Sequence, residues 1–347
     1  MKPTKIEDRL FSGHSGCFII AEIGQAHDGS LGSAHAYIDA VARTGVDAVK
    51  FQTHIAHAES TQHEQFRVKV FPQDKTRYDY WKRMEFTFQQ WSDLAAHARD
   101  LGLEFLSTPF SKEAVDLLQM LDVPAFKIGS GDVSNFDLLD EIIATQKPIL
   151  LSSGMSSYNE LDNTVGRITA KGNKLAVFQC TTSYPCDAKE IGYNVLTELK
   201  QRYRCPVGLS DHSGTIFPSL AAVTLGANFL EVHSVFSKQC FGPDTKSSLD
   251  MLELKQLVDG VRFIEKGLMN KIDKNIASAA LSKTKELFSR SAFYSKGIKA
   301  GEVFSEDSFA MKKPGGGIDI AIANQLIGKT LKQERCFDDF VSTEDFL

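Results

Sequence analysis

The sequence lacks several features that would assign it to a special class of protein. It contains no apolar run of the roughly 18 residues that a membrane span requires, and its opening stretch MKPTKIEDRLFSGHSG has no apolar signal-peptide core. Its six cysteines form no CxxC pair, so we expect neither a zinc ribbon nor a disulfide framework. A formal net charge of −5 provides no basic excess for nucleic acid. These absences predict a cytoplasmic protein with reduced thiols that binds neither nucleic acid nor membranes.

The chain does contain a regular alternation of apolar runs and helix-like segments. Predicted strands occupy 18–21, 48–51, 104–107, 125–128, 148–151, 175–178, 206–209 and 228–232. Predicted helices occupy 32–43, 89–101, 112–121, 136–144, 158–170, 193–202, 216–225 and 251–266. Strands that are apolar on both faces and alternate with helices are typical of a parallel sheet. Eight such units over about 250 residues favour an α/β fold of the (β/α)8 TIM barrel type, and an open doubly wound sheet is the alternative.

The chain is also long enough for a second, smaller domain. We predict an N-terminal extension at 1–17, the catalytic barrel at 18–268, a linker at 269–289 and a small C-terminal domain at 290–347. Segment 54–88, after the second strand, is a long insertion rich in aromatic and charged residues. Because long loops at a barrel mouth often serve function, this segment is either a lid or a packing element.

Polar residues follow nearly every predicted strand, at the end where such barrels carry their active sites. In strand order they are Glu22, Lys50, Gln52, Thr108, Lys127, Ser130, Ser152, Thr182, Tyr184, Ser210, His212 and His233. Side chains alternate along a strand, so Gly208, Ser210 and His212 share one face. We therefore expect the polar side chains to face the barrel mouth and the apolar ones to face the helices.

Two histidines, His212 and His233, end the seventh and eighth predicted strands. Neighbouring strands lie about 4.8 Å apart, so two imidazoles at equal height can bind one metal ion. Two nitrogen ligands with open positions for water or substrate oxygen suit Mn²⁺, Fe²⁺ or Zn²⁺ better than Ca²⁺. The alternative is that each histidine only forms a hydrogen bond with a neighbouring loop.

Two lysines, Lys50 and Lys127, predict an anion site at the same mouth. Burying an unpaired ammonium group is costly, so a bound phosphate or carboxylate is expected. Further donors come from the hydroxyls of Thr108, Ser130 and Ser152, and from backbone N–H groups of the glycine turns 129–131 and 152–154. The alternative is a structural role, in which the lysines pair with Glu22, Asp132 or Asp211.

These residues fall within motifs that resemble the sialic acid synthase family. The matching motifs are FIIAEIGQAHDGS (18–30), GVDAVKFQT (45–53), FLSTPF (105–110), PAFKIGSGD (124–132), LLSSGMSS (150–157), QCTTSYPCD (179–187), VGLSDHSG (207–214), FLEVHSVF (229–236) and GPDTKSSL (242–249). The tail RSAFYSKGIKAGEVFSEDSFAMKKPGGGI (290–318) is similar to the antifreeze-like, SAF-type domain that closes these enzymes. The resemblance extends from about residue 17 nearly to the end of the chain.

This resemblance implies a fold and a reaction. The fold is a (β/α)8 barrel followed by an antifreeze-like domain. The reaction condenses phosphoenolpyruvate with an N-acylated hexosamine, similar to N-acetylmannosamine and either free or 6-phosphorylated. It yields a nine-carbon 2-keto sugar acid and phosphate by C–O cleavage. The resemblance also implies a divalent metal, with Mn²⁺ preferred to Mg²⁺ or Co²⁺, and a domain-swapped homodimer.

The resemblance further implies a role for each matched residue. The metal ligands are His212 and His233. Phosphoenolpyruvate is held by Lys50, Thr108, Lys127, Ser130, Ser152, Thr182 and Ser210. The sugar is held by Glu22, Gln52, Tyr184 and Asp244. Catalysis is assigned to Glu22, Lys50, Lys127, His212 and His233, with Glu22 either binding sugar hydroxyls or taking a proton.

Lys313 stands where the family usually has an arginine. An ammonium group cannot form the planar, bidentate fork of a guanidinium group. The substrate contact expected from Lys313 therefore differs from the usual contact to the N-acyl group. The resemblance accordingly supports the type of reaction better than the identity of the sugar.

Three other functions remain possible. The first is a phosphoenolpyruvate-dependent synthase that acts on an aldose phosphate, although such enzymes lack the C-terminal domain. The second is a carbohydrate-binding or ice-binding protein that uses residues 290–347 and has an inert barrel, which leaves the polar mouth unexplained. The third is a metal-dependent barrel hydrolase, although these usually carry HxH on the first strand, where this chain has Glu22.

Overall fold

The computed structural model describes residues 6–7, 16–69 and 71–347. Apart from residues 6–7 and 16–17, the predicted N-terminal extension lies outside the described residues. The chain divides into two compact units, Met1–Met269 and Asn270–Leu347. In the described part of the chain, no helix combines the length and apolarity needed to cross a bilayer.

The first unit is a closed barrel of eight parallel strands, in which β8 pairs with β1. The strands are β1 (Phe18–Gly24), β2 (Ala48–Thr53), β3 (Glu104–Pro109), β4 (Phe126–Ile128), β5 (Ile149–Ser152), β6 (Leu175–Cys180), β7 (Val207–Asp211) and β8 (Phe229–His233). The predicted α/β barrel is confirmed, and the open-sheet alternative is wrong. The register places Glu22 beside both Lys50 and His233, so residues from three strands meet at one height.

Helices connect the strands and cover the barrel. They are Leu31–Ala42, Phe88–Asp100, Lys112–Met120, Phe136–Ala144, Tyr158–Ala170, Tyr193–Tyr203, Phe217–Thr224 and Met251–Met269. Local signals set their starts: the side chains of Ser111 and Asn135 accept hydrogen bonds from the backbone N–H groups of Ala114 and Leu138. The predicted helices are all present at their expected places.

Alternation along the strands separates two layers of side chains. Outward-facing residues such as Val49 and Phe51 belong to the core shared with the helices. The inward-facing apolar cluster is Ile6, Phe18, Ile20, Ala48, Leu106, Ala125, Leu150, Ala176, Phe178 and Phe229. Two positions further along their strands, the inward residues become polar, as at Glu22, Lys50 and Lys127, which are nevertheless buried. The barrel interior therefore has an apolar floor and a polar chamber at the C-terminal ends of the strands.

Segment 54–88 has a small core of its own. It contains the helices Ala56–Glu59 and Arg77–Met84, the second of which begins at Thr76 with a capping box. Its apolar cluster is Ala56, Tyr80, Trp81 and Met84, against which Phe66, Phe71 and Tyr78 pack. The segment therefore folds as a compact element, and it also supplies part of the wall of the site described below.

The second unit begins with two short helices, Lys274–Ala280 and Ser282–Phe288, in the part of the sequence predicted as a linker. It continues with strands β9 (Ser291–Tyr294) and β10 (Phe309–Lys312), which pair antiparallel, and the helix Ile320–Leu326. Its core includes Tyr294, Phe304 and Phe346. Within this core the Tyr294 hydroxyl donates a hydrogen bond to Oδ2 of Asp345 at 3.0 Å. That this unit is of the antifreeze-like type stays a prediction.

Candidate functional site

Two buried lysines and two buried carboxylates form the centre of the polar chamber. Lys50 Nζ lies 2.6 Å from Oε2 of Glu22 and 3.8 Å from Oε2 of Glu231. Lys127 Nζ lies 3.2 Å from Oε1 of Glu231. Of the protein partners weighed as the alternative, Glu22 pairs with Lys50, whereas Glu231 was not anticipated. The predicted anion site stays a prediction. The two lysines and the two carboxylates thus balance one another's charge before any substrate enters.

The electrostatics of these groups follow from their closeness. Burial by itself lowers the pKa of Lys50, but the carboxylates of Glu22 and Glu231 outweigh burial and raise that pKa. Burial by itself raises the pKa of Glu231, but the ammonium groups of Lys127 and Lys50 outweigh burial and lower that pKa. Lys50 and Glu231 are therefore charged near neutral pH, and an entering anion competes with carboxylates for the two lysines.

Hydroxyl groups surround the lysines. Lys50 Nζ donates to Oγ1 of Thr108 at 3.2 Å, and Lys127 Nζ donates to Oγ of Ser152 at 2.6 Å. Ser210 Oγ donates to Oε1 of Glu231 at 3.0 Å. These groups line a cavity of about 220 Å³, which we call the inner chamber. It is lined by Glu22, Lys50, Gln52, Thr108, Phe110, Lys127, Gly129, Ser130, Gly131, Asp132, Ser152, Met155, Cys180, Thr182, Tyr184, Ser210, His212, Glu231 and His233.

The glycine turn after β5 brings backbone close to this chamber. The N–H group of Gly154 donates to Oγ of Ser130 at 3.2 Å. A Cβ atom at Gly154 would lie 2.5 Å from Oγ1 of Thr182 and 2.8 Å from Oγ of Ser130. Only glycine leaves this space open, so the turn is built for close approach of its backbone to Ser130 and Thr182.

The two predicted metal ligands lie side by side. The ring centroids of His212 and His233 are 5.3 Å apart. His212 Nδ1 lies 2.8 Å from the carbonyl oxygen of Thr181, so Nδ1 carries the proton and the lone pair of Nε2 is available. Burial lowers the pKa of His212 to about 3, which keeps the imidazole neutral. The hydroxyl of Tyr184 lies 3.2 Å from His212 Nε2.

These donors fit a divalent cation with two imidazole ligands. Neutral imidazole nitrogens are the usual ligands of first-row transition metals, and the fixed tautomer of His212 resembles the support that metal-bound histidines receive. Within residues 6–7, 16–69 and 71–347, no cluster of three or more His, Cys, Asp or Glu side chains has metal-binding geometry.

A larger cavity of about 400 Å³ adjoins the inner chamber, and we call it the outer chamber. Gln52, Asp132, Thr182, Tyr184 and His233 line both. The amide of Gln52 donates to Oε1 of Glu22 at 2.8 Å, which links the two chambers. Asp244 also lines the outer chamber and pairs with Arg67 of segment 54–88, with 2.6 Å between Oδ1 and Nη2.

Lys313 differs from the other predicted site residues because it belongs to the second unit. There its Nζ lies 5.3 Å from the centroid of the Phe288 ring. All other predicted residues line the inner or the outer chamber of the first unit.

Sequence reasoning missed three side chains. Glu231 binds both lysines, Cys180 lies 3.1 Å from Ser130 Oγ, and Glu59 lines the outer chamber. Alternation could have identified Glu231, because Phe229, Glu231 and His233 share one face of β8. Glu59 gave no signal, since its position depends on the fold of the insertion.

Comparison with known proteins gives concordant matches. The model of the NeuB family matches residues 37–273. The N,N'-diacetyllegionaminic acid synthase of Campylobacter jejuni is 35% identical over 329 residues, covering 93% of this chain and 98% of its own length. The human N-acetylneuraminate-9-phosphate synthase is 33% identical over 269 residues, covering 75% and 73%. The crystal structure of N-acetylneuraminic acid synthetase from Leptospira borgpetersenii, in complex with citrate, has a TM-score of 0.69 at 28% identity, covering 79% of this chain and 92% of that one.

Proposed function

The chain belongs to the NeuB family of sialic acid synthases and related enzymes, and we propose that it condenses phosphoenolpyruvate with an N-acylated hexosamine similar to N-acetylmannosamine. The products are a nine-carbon 2-keto sugar acid and phosphate. One observation carries this proposal: the inner chamber, with two buried lysines, opens into an outer chamber of sugar size through shared residues. An anionic and a polyhydroxylated substrate can therefore meet at one wall.

Phosphoenolpyruvate occupies the inner chamber in this proposal. Lys50 and Lys127 bind the carboxylate and phosphate of the substrate and give up part of their contact with Glu22 and Glu231. Uncharged hydroxyl partners come from Thr108, Ser130, Ser152, Thr182 and Ser210. Fixed donors of this kind stabilise charge throughout a reaction without reorganising. Carbon 3 of phosphoenolpyruvate forms a bond to the aldehyde carbon of the open-chain sugar, whose oxygen takes a proton.

The remaining steps convert carbon 2 to a ketone. Water adds to the cation at carbon 2, and the bond between carbon 2 and the phosphate oxygen breaks. Of the two protons that the water loses, one balances the proton taken by the sugar oxygen and the other leaves with the phosphate. Glu22 faces both chambers, with Oε1 accepting from Gln52 and Oε2 beside Lys50. It is therefore placed either to bind sugar hydroxyls or to accept a proton.

We propose that His212 and His233 hold a divalent cation, Mn²⁺ rather than Mg²⁺ or Co²⁺. When bound, such a cation supplies Lewis-acid polarisation of a carbonyl oxygen. Tyr184, Gln52 and Asp244 then orient the sugar in the outer chamber.

We also propose an active dimer in which the second unit of one chain, including Lys313, covers the barrel mouth of its partner. The resemblance of the tail to a closing domain supports this proposal, because the cation at carbon 2 requires controlled access of water. Mixing full-length His212→Ala/His233→Ala with full-length Lys313→Glu tests it. A swapped dimer restores one complete site and hence activity above either variant alone, whereas a strictly monomeric wild type in light scattering would exclude it.

The decisive experiment for function is a substrate panel. The protein is incubated with phosphoenolpyruvate, Mn²⁺ and N-acyl hexosamines, their 6-phosphates, arabinose 5-phosphate or erythrose 4-phosphate. Phosphate release and product mass are then measured. Turnover with an N-acyl hexosamine supports the proposal; turnover with only the aldose phosphates rejects it.

A further inference from the structure

The imidazole of His54, the first residue of segment 54–88, lies buried directly after β2. Both of its ring nitrogens are within hydrogen-bond distance of other polar side chains. No step of the proposed reaction uses this ring. Because buried polar groups in folded proteins are paired, the partners of the two nitrogens indicate what the ring does.

The partner of Nδ1 fixes the position of the ring proton. His54 Nδ1 lies 2.7 Å from Oε1 of Glu59, whose side chain is only 7% exposed. A carboxylate oxygen can only accept, so the proton lies on Nδ1. In the neutral ring, Nε2 then carries the lone pair and accepts hydrogen bonds.

The partners on the Nε2 side agree with this tautomer. The amide nitrogen of Gln25 lies 3.2 Å from His54 Nε2 and also donates to Oε1 of Gln52. An amide nitrogen has two hydrogens, so Gln25 serves both acceptors at once. A ring protonated on both nitrogens would instead set its Nε2–H against the NH2 group of Gln25. The arrangement therefore favours the neutral ring.

The same hydrogen bonds give the Gln52 amide one orientation. Its oxygen accepts from Gln25, and its nitrogen donates to Oε1 of Glu22 at 2.8 Å. Exchanging the oxygen and nitrogen of this amide would set two acceptors together at Glu22 and two donors together at Gln25. A hydrogen-bond chain thus joins Glu59, His54, Gln25, Gln52 and Glu22, and leads from segment 54–88 to the inner chamber.

Aromatic stacking holds the His54 ring within this hydrogen-bond chain. Its centroid lies 3.9 Å from that of Trp81 and 4.6 Å from that of Phe110, with nearly parallel planes. Trp81 belongs to the helix Arg77–Met84, whereas Phe110 directly follows β3. The insertion and the barrel therefore both fix the ring, so its Nε2 is a rigid acceptor for Gln25.

We propose that Gln25, His54 and Glu59 are positioning residues, which hold the Gln52 amide and through it the Glu22 carboxylate in the orientation that the acceptor sugar meets. This proposal rests on the proposed function, in which Gln52 and Glu22 hold the sugar. One hydrogen of the Gln52 nitrogen serves Glu22, and the other is left for a sugar oxygen. Loss of the acceptor at His54 Nε2 leaves a hydrogen of Gln25 without a partner, and the Gln52 amide turns as Gln25 seeks another.

A pair of variants at His54 tests the hydrogen-bond chain. A glutamine places its amide where Nε2 stands, whereas an asparagine places its amide where Nδ1 stands. Both lose the aromatic stacking, but only His54→Gln keeps an acceptor for Gln25. For the N-acyl hexosamine that wild type uses best, kcat/KM should be about tenfold lower in His54→Asn than in His54→Gln. The Kd for phosphoenolpyruvate, measured by calorimetry, should equal that of wild type in both, which shows that the barrel is folded.

A second measurement needs no substrate. In protein labelled with ¹⁵N at histidine, nuclear magnetic resonance should show the neutral Nδ1–H tautomer for His54, whose signals are those missing in His54→Asn. Glu59→Gln should keep this tautomer, because an amide oxygen can still accept from Nδ1. Glu59→Leu removes the acceptor, so it should move the proton to Nε2 and lower kcat/KM for the sugar about tenfold.

Matched controls are His57→Asn, an exposed imidazole on the helix Ala56–Glu59, and Glu113→Gln, an exposed carboxylate on the helix Lys112–Met120. Both should keep the wild-type kcat/KM and the His54 tautomer. Equal kcat/KM in His54→Gln and His54→Asn, or a wild-type His54 proton on Nε2, would overturn the positioning role. Absence of turnover of every N-acyl hexosamine by wild type would instead reject the proposed function, and the positioning role with it.

Discussion

Lys127 and Glu231 form a buried ion pair in the inner chamber, with 3.2 Å between Nζ and Oε1 and only 3% and 5% of their side chains exposed. The same carboxylate accepts from Ser210 and lies near Lys50. Glu231 therefore holds two cations in place in the absence of substrate. Glu231 is a positioning group, and an entering anion can replace the negative charge that it places beside the two lysines.

Replacing Glu231 with glutamine should destabilise the free protein and enlarge its response to anions. Breaking a buried pair leaves uncompensated charge, here costing about 3 kcal/mol of unfolding free energy. Phosphoenolpyruvate supplies new negative charge, so it should raise the melting temperature more in Glu231→Gln than in wild type. Scanning calorimetry with and without phosphoenolpyruvate checks this, with Glu113→Gln as the control. A variant as stable as wild type without any anion contradicts the role.

The barrel could be predicted because parallel strands that are buried on both faces produce continuous apolar runs. Such runs are visible in the order of the residues. The alternation that places Gly208, Ser210 and His212 on one face also places Phe229, Glu231 and His233 together, so Glu231 was within reach of the same argument. The ion pair between Glu231 and Lys127 could not be predicted in this way. The strands β4 and β8 are not neighbours in the barrel, and the contact crosses the barrel interior.

Segment 54–88 was beyond local reasoning for another reason. Its helix Arg77–Met84 is strongly polar. The position of the His54 ring depends on stacking with Phe110, which follows β3. Such stacking is a long-range contact that leaves no periodic signal in the sequence. The position of Glu59 beside His54 therefore required the folded structure.

Gly154→Ala should weaken binding of phosphoenolpyruvate without unfolding the protein. The added Cβ would lie 2.5 Å from Thr182 Oγ1 and 2.7 Å from Cys180 Sγ, so those side chains must move. We expect the Kd for phosphoenolpyruvate to rise about tenfold or more. Gly166→Ala, where a Cβ meets nothing within 4 Å, is the matched control and should bind as wild type. Equal Kd values for the two variants in calorimetry would remove Gly154 from the site.

His27 should make the stability of the protein depend on pH in the acid range. Burial, assisted by His54 and Arg83, lowers its pKa from 6.5 to about 3. The unfolded chain therefore binds a proton first, and the free energy of unfolding falls as pH drops from about 6.5 towards 3, by about 1.4 kcal/mol per pH unit. His212 adds a parallel decline with a similar pKa.

In His27→Phe, the free energy of unfolding should lose the part of its pH dependence that comes from His27. The part that comes from His212 should remain. The variant also loses the acceptor for the N–H of Gly29, a cost that does not change with pH. Urea unfolding of both proteins at several pH values between 4.5 and 7.5 measures the difference. Identical pH slopes in wild type and variant would show that His27 is protonated equally in the folded and unfolded states.

The final prediction concerns the removal of metal. His212 and His233 offer two imidazole nitrogens and, among the described residues, no group of three or more His, Cys, Asp or Glu side chains forms a metal-binding cluster. A cation held by two protein ligands is released more readily than one in a closed four-ligand site, so dialysis against a chelator should abolish turnover and added Mn²⁺ should restore it. His212→Ala and His233→Ala should each lower kcat by about 100-fold or more, because a Lewis acid contributes several kcal/mol to such a step. His63→Ala, which removes an exposed imidazole, should keep wild-type activity.

Binding of Mn²⁺, followed by electron paramagnetic resonance, should be lost in the two site variants and retained in the control, so that the ligand role is tested apart from catalysis. Full turnover by protein that elemental analysis shows to be free of metal would end the argument for a catalytic cation, and retained Mn²⁺ binding in both site variants would place the ion elsewhere.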